Sequence, residues 1–216
     1  MKGLLIKDLR LLLRQKMTIV IIVLLGVFMS LNGGNVGFSL SYMMVVSASL
    51  VYATISYDYF EKGMSFLFTL PVSKKSYVLE KYLLTVLVEL CVAAFVVLIE
   101  VGNILLGNPA DWMTLLVAGV SCFAAAMILI ALYIPVYIKF GPEKSRIAIF
   151  ILFGSVAVIT FLAAKVKSVQ DALMALVDAL SKLSAAQITA IGVAVFTAIM
   201  ATSIIISIKV IEKKEF

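Results

Sequence analysis

Histidine is absent from the 216 residues, and charge is scarce at 14% against a hydrophobic share of 63%. Without histidine there is no Ser-His-Asp triad, no HExxH zinc site and no histidine proton shuttle. The two cysteines, Cys91 and Cys122, both fall inside apolar runs. There a free thiol behaves as a small hydrophobe, so a disulfide framework is not expected. A GxxxxGK[ST] phosphate loop is also missing. Gly141-Pro-Glu-Lys-Ser imitates one only superficially, because it lacks the paired glycines whose N–H groups cradle phosphate. Soluble domains carry about 25% charged residues, and at a mean hydropathy of +1.16 the chain has too little polar surface to be one.

Long apolar runs are abundant instead. A helix needs roughly 20 apolar residues to span the bilayer core, and six runs qualify: Met17 to Leu31 (17–34 with its turn), Phe38 to Tyr57, Tyr82 to Leu106, Trp112 to Ile138, Arg146 to Ala164 and Ile188 to Ile208. The expected fold is therefore an all-α membrane protein of six transmembrane helices, forming one domain over 1–216. Turn residues mark the tight connections: Asn-Gly-Gly-Asn at 32–35, Gly-Asn-Pro at 107–109 and Gly141-Pro142. No A-x-A-like cleavage site follows the first run, which reads as an uncleaved span.

The placement of basic residues sets the expected topology. Fifteen of the 18 Lys and Arg fall in the N-terminal segment, in Asp58 to Lys81, in Lys139 to Arg146 and after Ile208. Only Lys165, Lys167 and Lys182 fall in the alternate connections. By the positive-inside rule both termini are cytoplasmic, so the net charge of +6 reports topology and does not call for a nucleic-acid partner. A multi-pass protein of a bacterial plasma membrane is the expected location.

Three polar segments carry further pattern. Lys7, Arg10 and Arg14 share one face of an N-terminal helix, opposite Leu5, Ile6, Leu9, Leu12 and Leu13, so that helix should lie in the interface. It anchors to anionic headgroups, or it also leans on a cytoplasmic partner. The Asp58–Lys81 loop holds Phe60, Met64, Phe66, Leu67, Phe68 and Leu70, too many apolar groups for a bare linker. Membrane-surface burial and docking to a partner both remain open. Pro71 should stop a short helix and Ser73 should cap the next. Outside, Val169, Leu173, Leu176, Leu180 and Leu183 recur at helical spacing and predict an external amphipathic helix over Lys165 to Gln187.

Within the third run, Glu89 and Glu100 lie eleven residues apart, about 20° around a helix and about 16 Å along it. Thr85 and Asn103 extend the stripe. A lipid-facing acid costs roughly 2.5–3.5 kcal/mol, so the stripe should face helices or water. It either lines a path for cationic substrates or fixes packing. The small residues of the second run (Ser41, Ser47, Ser49, Thr54, Ser56) point to close helix packing.

The sequence resembles the permease subunits of type-2 ABC exporters, in the branch of small six-span permeases of peptide, bacteriocin and drug efflux systems, phenol-soluble modulin exporters included. The residues that carry the resemblance are Met1 to Leu9, Glu61-Lys-Gly, the block from Leu70-Pro-Val-Ser to Tyr82, Ile134-Pro135 and Lys139 to Arg146. The resemblance implies a dimer of permeases, identical or not, with two separate ATPase subunits that hold the ATP and magnesium. This chain would then need no cofactor and perform no catalysis. Coupling elements that dock the ATPase would fall on Tyr59, Phe60, Glu61, Lys62, Gly63 and Phe66, and on Gly141, Glu143 and Arg146. Thr85, Glu89, Glu100 and Asn103 would line the path of amphipathic peptides or hydrophobic drugs. The alternative is a self-contained carrier or channel with Glu89 and Glu100 as proton or ion sites.

Overall fold

The computed structural model describes residues 2–31, 36–60, 63–105, 112–163, 165–166, 169–171, 174–175 and 184–214. Among these residues the regular structure is helical throughout. In chain order the helices are α1 (Lys2–Arg14), α2 (Lys16–Leu31), α3 (Val36–Tyr59), α4 (Gly63–Leu67), α5 (Lys74–Leu105), α6 (Trp112–Ala163) and α7 (Ala185–Glu212). Three stretches are long and apolar enough to cross a membrane: Lys74–Gly102, Leu115–Ala148 and Ala186–Glu212. Gly3–Arg14 and Lys16–Met29 meet at 69° and make a fourth if that bent pair is one span. Six spans were expected, and three to four are what the described helices support. The external helix predicted over 165–187 lies mostly outside the described residues.

Local chemistry accounts for most of the helix ends. α4 stops after one turn, Pro71 falls in the break, and the Ser73 hydroxyl accepts from the Ser76 N–H at 3.1 Å to start α5. α7 opens with a reciprocal cap: Ser184 N–H donates to Gln187 Oε1 at 3.0 Å, and Gln187 N–H donates to Ser184 Oγ at 3.3 Å.

Two boundaries differ from expectation. α5 begins at Lys74 and not near Tyr82, so the last eight residues of the predicted loop are helix. The predicted loop Lys139 to Ser145 is also helical, apart from a break at Gly141, where φ is 77° and ψ 179°. Pro142 disfavours α geometry at the residue before it, and only glycine enters this region readily. The break separates limbs 112–140 and 142–163. Replacing Gly141 with alanine should cost about 1–3 kcal/mol; a lowered melting temperature in detergent, beside an unchanged Gly154→Ala control with open space around its Cβ position, is the check.

Packing is inverted relative to a soluble bundle. Leu79, Leu83, Leu87, Leu90, Val97 and Leu98 of α5 face outward, while Tyr77, Lys81, Thr85 and Glu89 face inward. Lipid is as apolar as leucine, so leucine gains nothing by leaving it; polar groups gain partners by turning inward. α6 packs on α3 and α7, α3 on α5, and α2 on α3. On the α5–α7 contact the Tyr82 hydroxyl shares hydrogen bonds with Ser203 at 2.6 Å and Ser207 at 3.1 Å, and Ser203 also donates to the Ala131 carbonyl of α6.

Candidate functional site

Residues Ser47, Thr54 and Asp58 on one face of α3 meet Tyr77, Lys81, Thr85 and Glu89 on one face of α5. The α5 residues recur every four positions, which keeps them on one side of a helix over about 18 Å. Ser47 donates to Glu89 Oε1 at 3.1 Å, Lys81 to Thr54 Oγ1 at 3.3 Å, and Tyr77 to Asp58 Oδ2 at 3.1 Å. The result is a buried polar seam between the two helices. Its outer end is a cluster of five charged groups.

Lys81 is fully buried and is the centre of that cluster. Its ammonium bonds to Asp8 of α1, lies 2.8 Å from Asp58 of α3 and 3.9 Å from the Glu80 carboxylate beside it. Lys7 bonds to Asp58 and pairs with Asp8 at 3.0 Å. Two ammonium groups thus face three carboxyls, all but Lys7 nearly or wholly removed from solvent. Burial alone would push the Asp58 carboxyl up, but the Lys81 and then the Lys7 charges outweigh it and hold Asp58 below its ordinary value. The network pins α1 to α3 and α5 at the residue that precedes the predicted docking loop. Among the described residues no group of His, Cys, Asp or Glu is arranged to hold a metal ion.

The same end of the bundle gathers the other chain segments that carry basic residues. Tyr59 donates to the Ile138 carbonyl at 2.9 Å, three residues before the Gly141 break. Lys214, past the end of α7, donates to that carbonyl at 3.0 Å, and Lys74 donates to the Lys214 carbonyl at 2.8 Å. The N-terminal helix, both predicted docking loops and the C-terminal end therefore meet on one face. Two of their aromatics are uncovered: Phe60 is 69% and Phe66 70% exposed. Phe66 projects from α4, whose Met64 and Leu67 are buried in the core. Gly63 starts α4 so close to α3 that a Cβ there would lie 2.8 Å from the Asp58 carbonyl oxygen.

The other predicted residues divide as follows. Glu61 and Lys62 lie outside the described residues, as does the side chain of Asn103. Glu143 is exposed beside the Gly141 break. Thr85 is buried and donates to the Lys81 carbonyl at 2.8 Å. Glu89 is fully buried in the seam, with Oε2 lacking a hydrogen-bond partner among the described residues. Glu100 is also buried, further along α5. Arg146 lines a cavity with Phe60, described below. Of the small residues on α3, Ser47 and Thr54 enter the seam, whereas Ser49 and Ser56 line that cavity.

Sequence reasoning missed Asp8, Asp58, Glu80 and Lys81. A signal existed for two of them. Asp8 is four residues from both Leu4 and Leu12, on the arc of α1 that turns inward, and Lys81 continues the Thr85–Glu89 stripe by one turn.

Among the described residues, several apolar helices of membrane-spanning length enclose a polar seam, the form of an integral membrane protein. The chain belongs to the ABC-2 family: the model described as "ABC-2 family transporter protein" matches residues 3–212. No curated protein and no solved structure matches the chain. Membership makes it the permease component of an ABC transporter, a role generally non-catalytic and generally filled beside an ABC ATPase.

Proposed function

We propose that the chain is the membrane-spanning subunit of an ATP-driven exporter of amphipathic peptides, peptide toxins or hydrophobic drugs. Two ATPase subunits dock on the face that gathers α1, α4, the Gly141 break and the C-terminal end. Positive-inside logic makes that face cytoplasmic. The observation that carries this reading is the pair of uncovered aromatics, Phe60 and Phe66, set on backbone that is itself fixed. Asp58 is held by Lys7 and Lys81, Tyr59 by Ile138, and α4 by Met64 and Leu67.

In this mechanism ATP-dependent closure of the docked subunits pushes on the Phe60–Phe66 segment. The Asp58–Lys81–Asp8 cluster passes that displacement to α5 and α1 as one unit, because separating its charges in a buried site is expensive. A second permease completes the path. Parting of α3 from α5 during the cycle exposes the buried Glu89 and Glu100 to cationic amphipathic cargo.

The test is co-expression of the full chain with the ATPase encoded beside it, followed by purification in nanodiscs. Stoichiometric association is expected, with hydrolysis stimulated by a cationic amphipathic helical peptide. The chain alone should hydrolyse no ATP. Failure to associate, or hydrolysis by the chain alone, overturns the proposal.

A further inference from the structure

A cavity of about 440 Å³ opens between α3 and α6 at the end of the bundle that carries the Phe60 segment and the Gly141 break. Its volume falls within the roughly 300–1,000 Å³ of small-ligand sites. Tyrosines dominate the lining: Tyr52, Tyr57, Tyr133 and Tyr137, with Phe60 at one edge. Tyr52 stacks on Tyr133 at a centroid separation of 3.6 Å, and Tyr133 leans on Tyr137 at 5.2 Å, so the aromatic wall is continuous. Of the two serines, Ser49 donates to the Val46 carbonyl and Ser56 pairs with Tyr137, which leaves the phenols as the hydroxyls of the site.

Among the described lining residues one is charged, Arg146. Its guanidinium lies within electrostatic reach of the Tyr133 and Tyr137 side chains and makes no ion pair or hydrogen bond with a described residue. Among the described residues no carboxylate lines the cavity. A described lining with one guanidinium, several phenol hydroxyls and no acid is complementary to an oxyanion. The forked donors of arginine match phosphate oxygens two at a time. It is the wrong sign for the cationic cargo proposed above, so this pocket is separate from that path.

Depth selects the source of the anion. Tyr57 and Phe60 at the mouth are exposed, and exposed tyrosines gather at headgroup level in membrane proteins. α5 is 32 residues, about 48 Å, against an apolar core of about 30 Å, so both its ends reach beyond the hydrocarbon. The Phe60 segment stands at the Lys74 end of α5 and next to α1, whose outward Ile6, Leu9 and Leu13 suit the interface.

We infer that the Tyr52–Tyr133–Tyr137–Arg146 cavity binds the phosphate headgroup of an anionic phospholipid. Arg146 and the hydroxyls take the phosphate oxygens, and the acyl chains leave past Phe60 into the bilayer.

The experiment uses the full-length chain, stripped of lipid in neutral detergent, with bound lipid counted by native mass spectrometry. Dioleoylphosphatidylglycerol should be retained at least tenfold better than dioleoylphosphatidylcholine. Arg146→Gln should lose that preference and Tyr137→Phe should weaken it, while Arg10→Gln on the exposed face of α1 keeps it. Unchanged melting temperatures confirm that each variant is folded. Glycerophosphoglycerol, the same phosphodiester without acyl chains, distinguishes the sources. Failure of a hundredfold excess to displace the lipid supports the inference; displacement at equimolar concentration makes the soluble anion the ligand and overturns it. Equal retention of both lipids, or an unaltered preference in Arg146→Gln, also overturns it.

Discussion

Replacement of Lys81 by methionine is expected to destabilise the protein by about 3–5 kcal/mol, the usual cost of removing one partner from a buried charge pair. Asp8, Asp58 and Glu80 would be left around a site that has lost its central cation, with only the partly exposed Lys7 to offset them. The size of the effect comes from the carboxylates that remain and not from the worth of the pairs themselves. The quadruple variant Asp8→Asn, Asp58→Asn, Glu80→Gln, Lys81→Met should therefore recover much of the loss, since the partly exposed Lys7 is then the one charge left in a cluster of similar volume. Fluorescence-detected size exclusion and thermal melting of full-length protein in detergent measure both variants. A single Lys81→Met variant as stable as the parent would show that the cluster is open to water.

The largest functional effect is expected from Phe60→Asp combined with Phe66→Asp. Aromatic residues at the centre of an interface each contribute about 2 kcal/mol or more, so association with the ATPase subunit should fall by at least about thirtyfold. Folding should be unaffected, because both rings are already mostly exposed. Met64→Ala tests the other side of α4: Met64 is buried, so its loss should lower the melting temperature before it alters docking. Co-purification yield against melting temperature separates the two outcomes. Undiminished association of the double aspartate variant would remove α4 from the docking surface.

Much of the architecture was legible in the sequence because membrane helices announce themselves by composition. Apolar runs located α2, α3, α5, α6 and α7; the Pro71–Ser73 pair located the break before α5; and basic residues marked segments that meet at one end of the bundle. The exposed Phe60 and Phe66 were legible for the same reason, since nothing nearby in the sequence could cover them. The Ser73 cap marked the start of α5 too, but hydropathy began the span only at Tyr82. Lys74, Lys75, Glu80 and Lys81 make residues 74–81 read as a loop by hydropathy, yet they form two helical turns that end fully buried. The loop expected at 139–145 failed in a related way: one glycine in a conformation closed to other residues, followed by proline, breaks the helix without spending a loop on it.

The sequence by itself determined that this is a helical membrane protein, and the resemblance it carries agrees with its ABC-2 family membership. Only the tertiary structure decided where its charges go. Asp8 and Lys81 are 73 residues apart and Lys7 and Asp58 are 51, and these side chains enter the interior because opposite charges meet them there. That condition belongs to the pair and not to either residue, so hydropathy read along the chain assigns such groups to the surface. The packing of α1, α3 and α5 turned four residues that looked like loop and helix ends into a buried charged link between those helices.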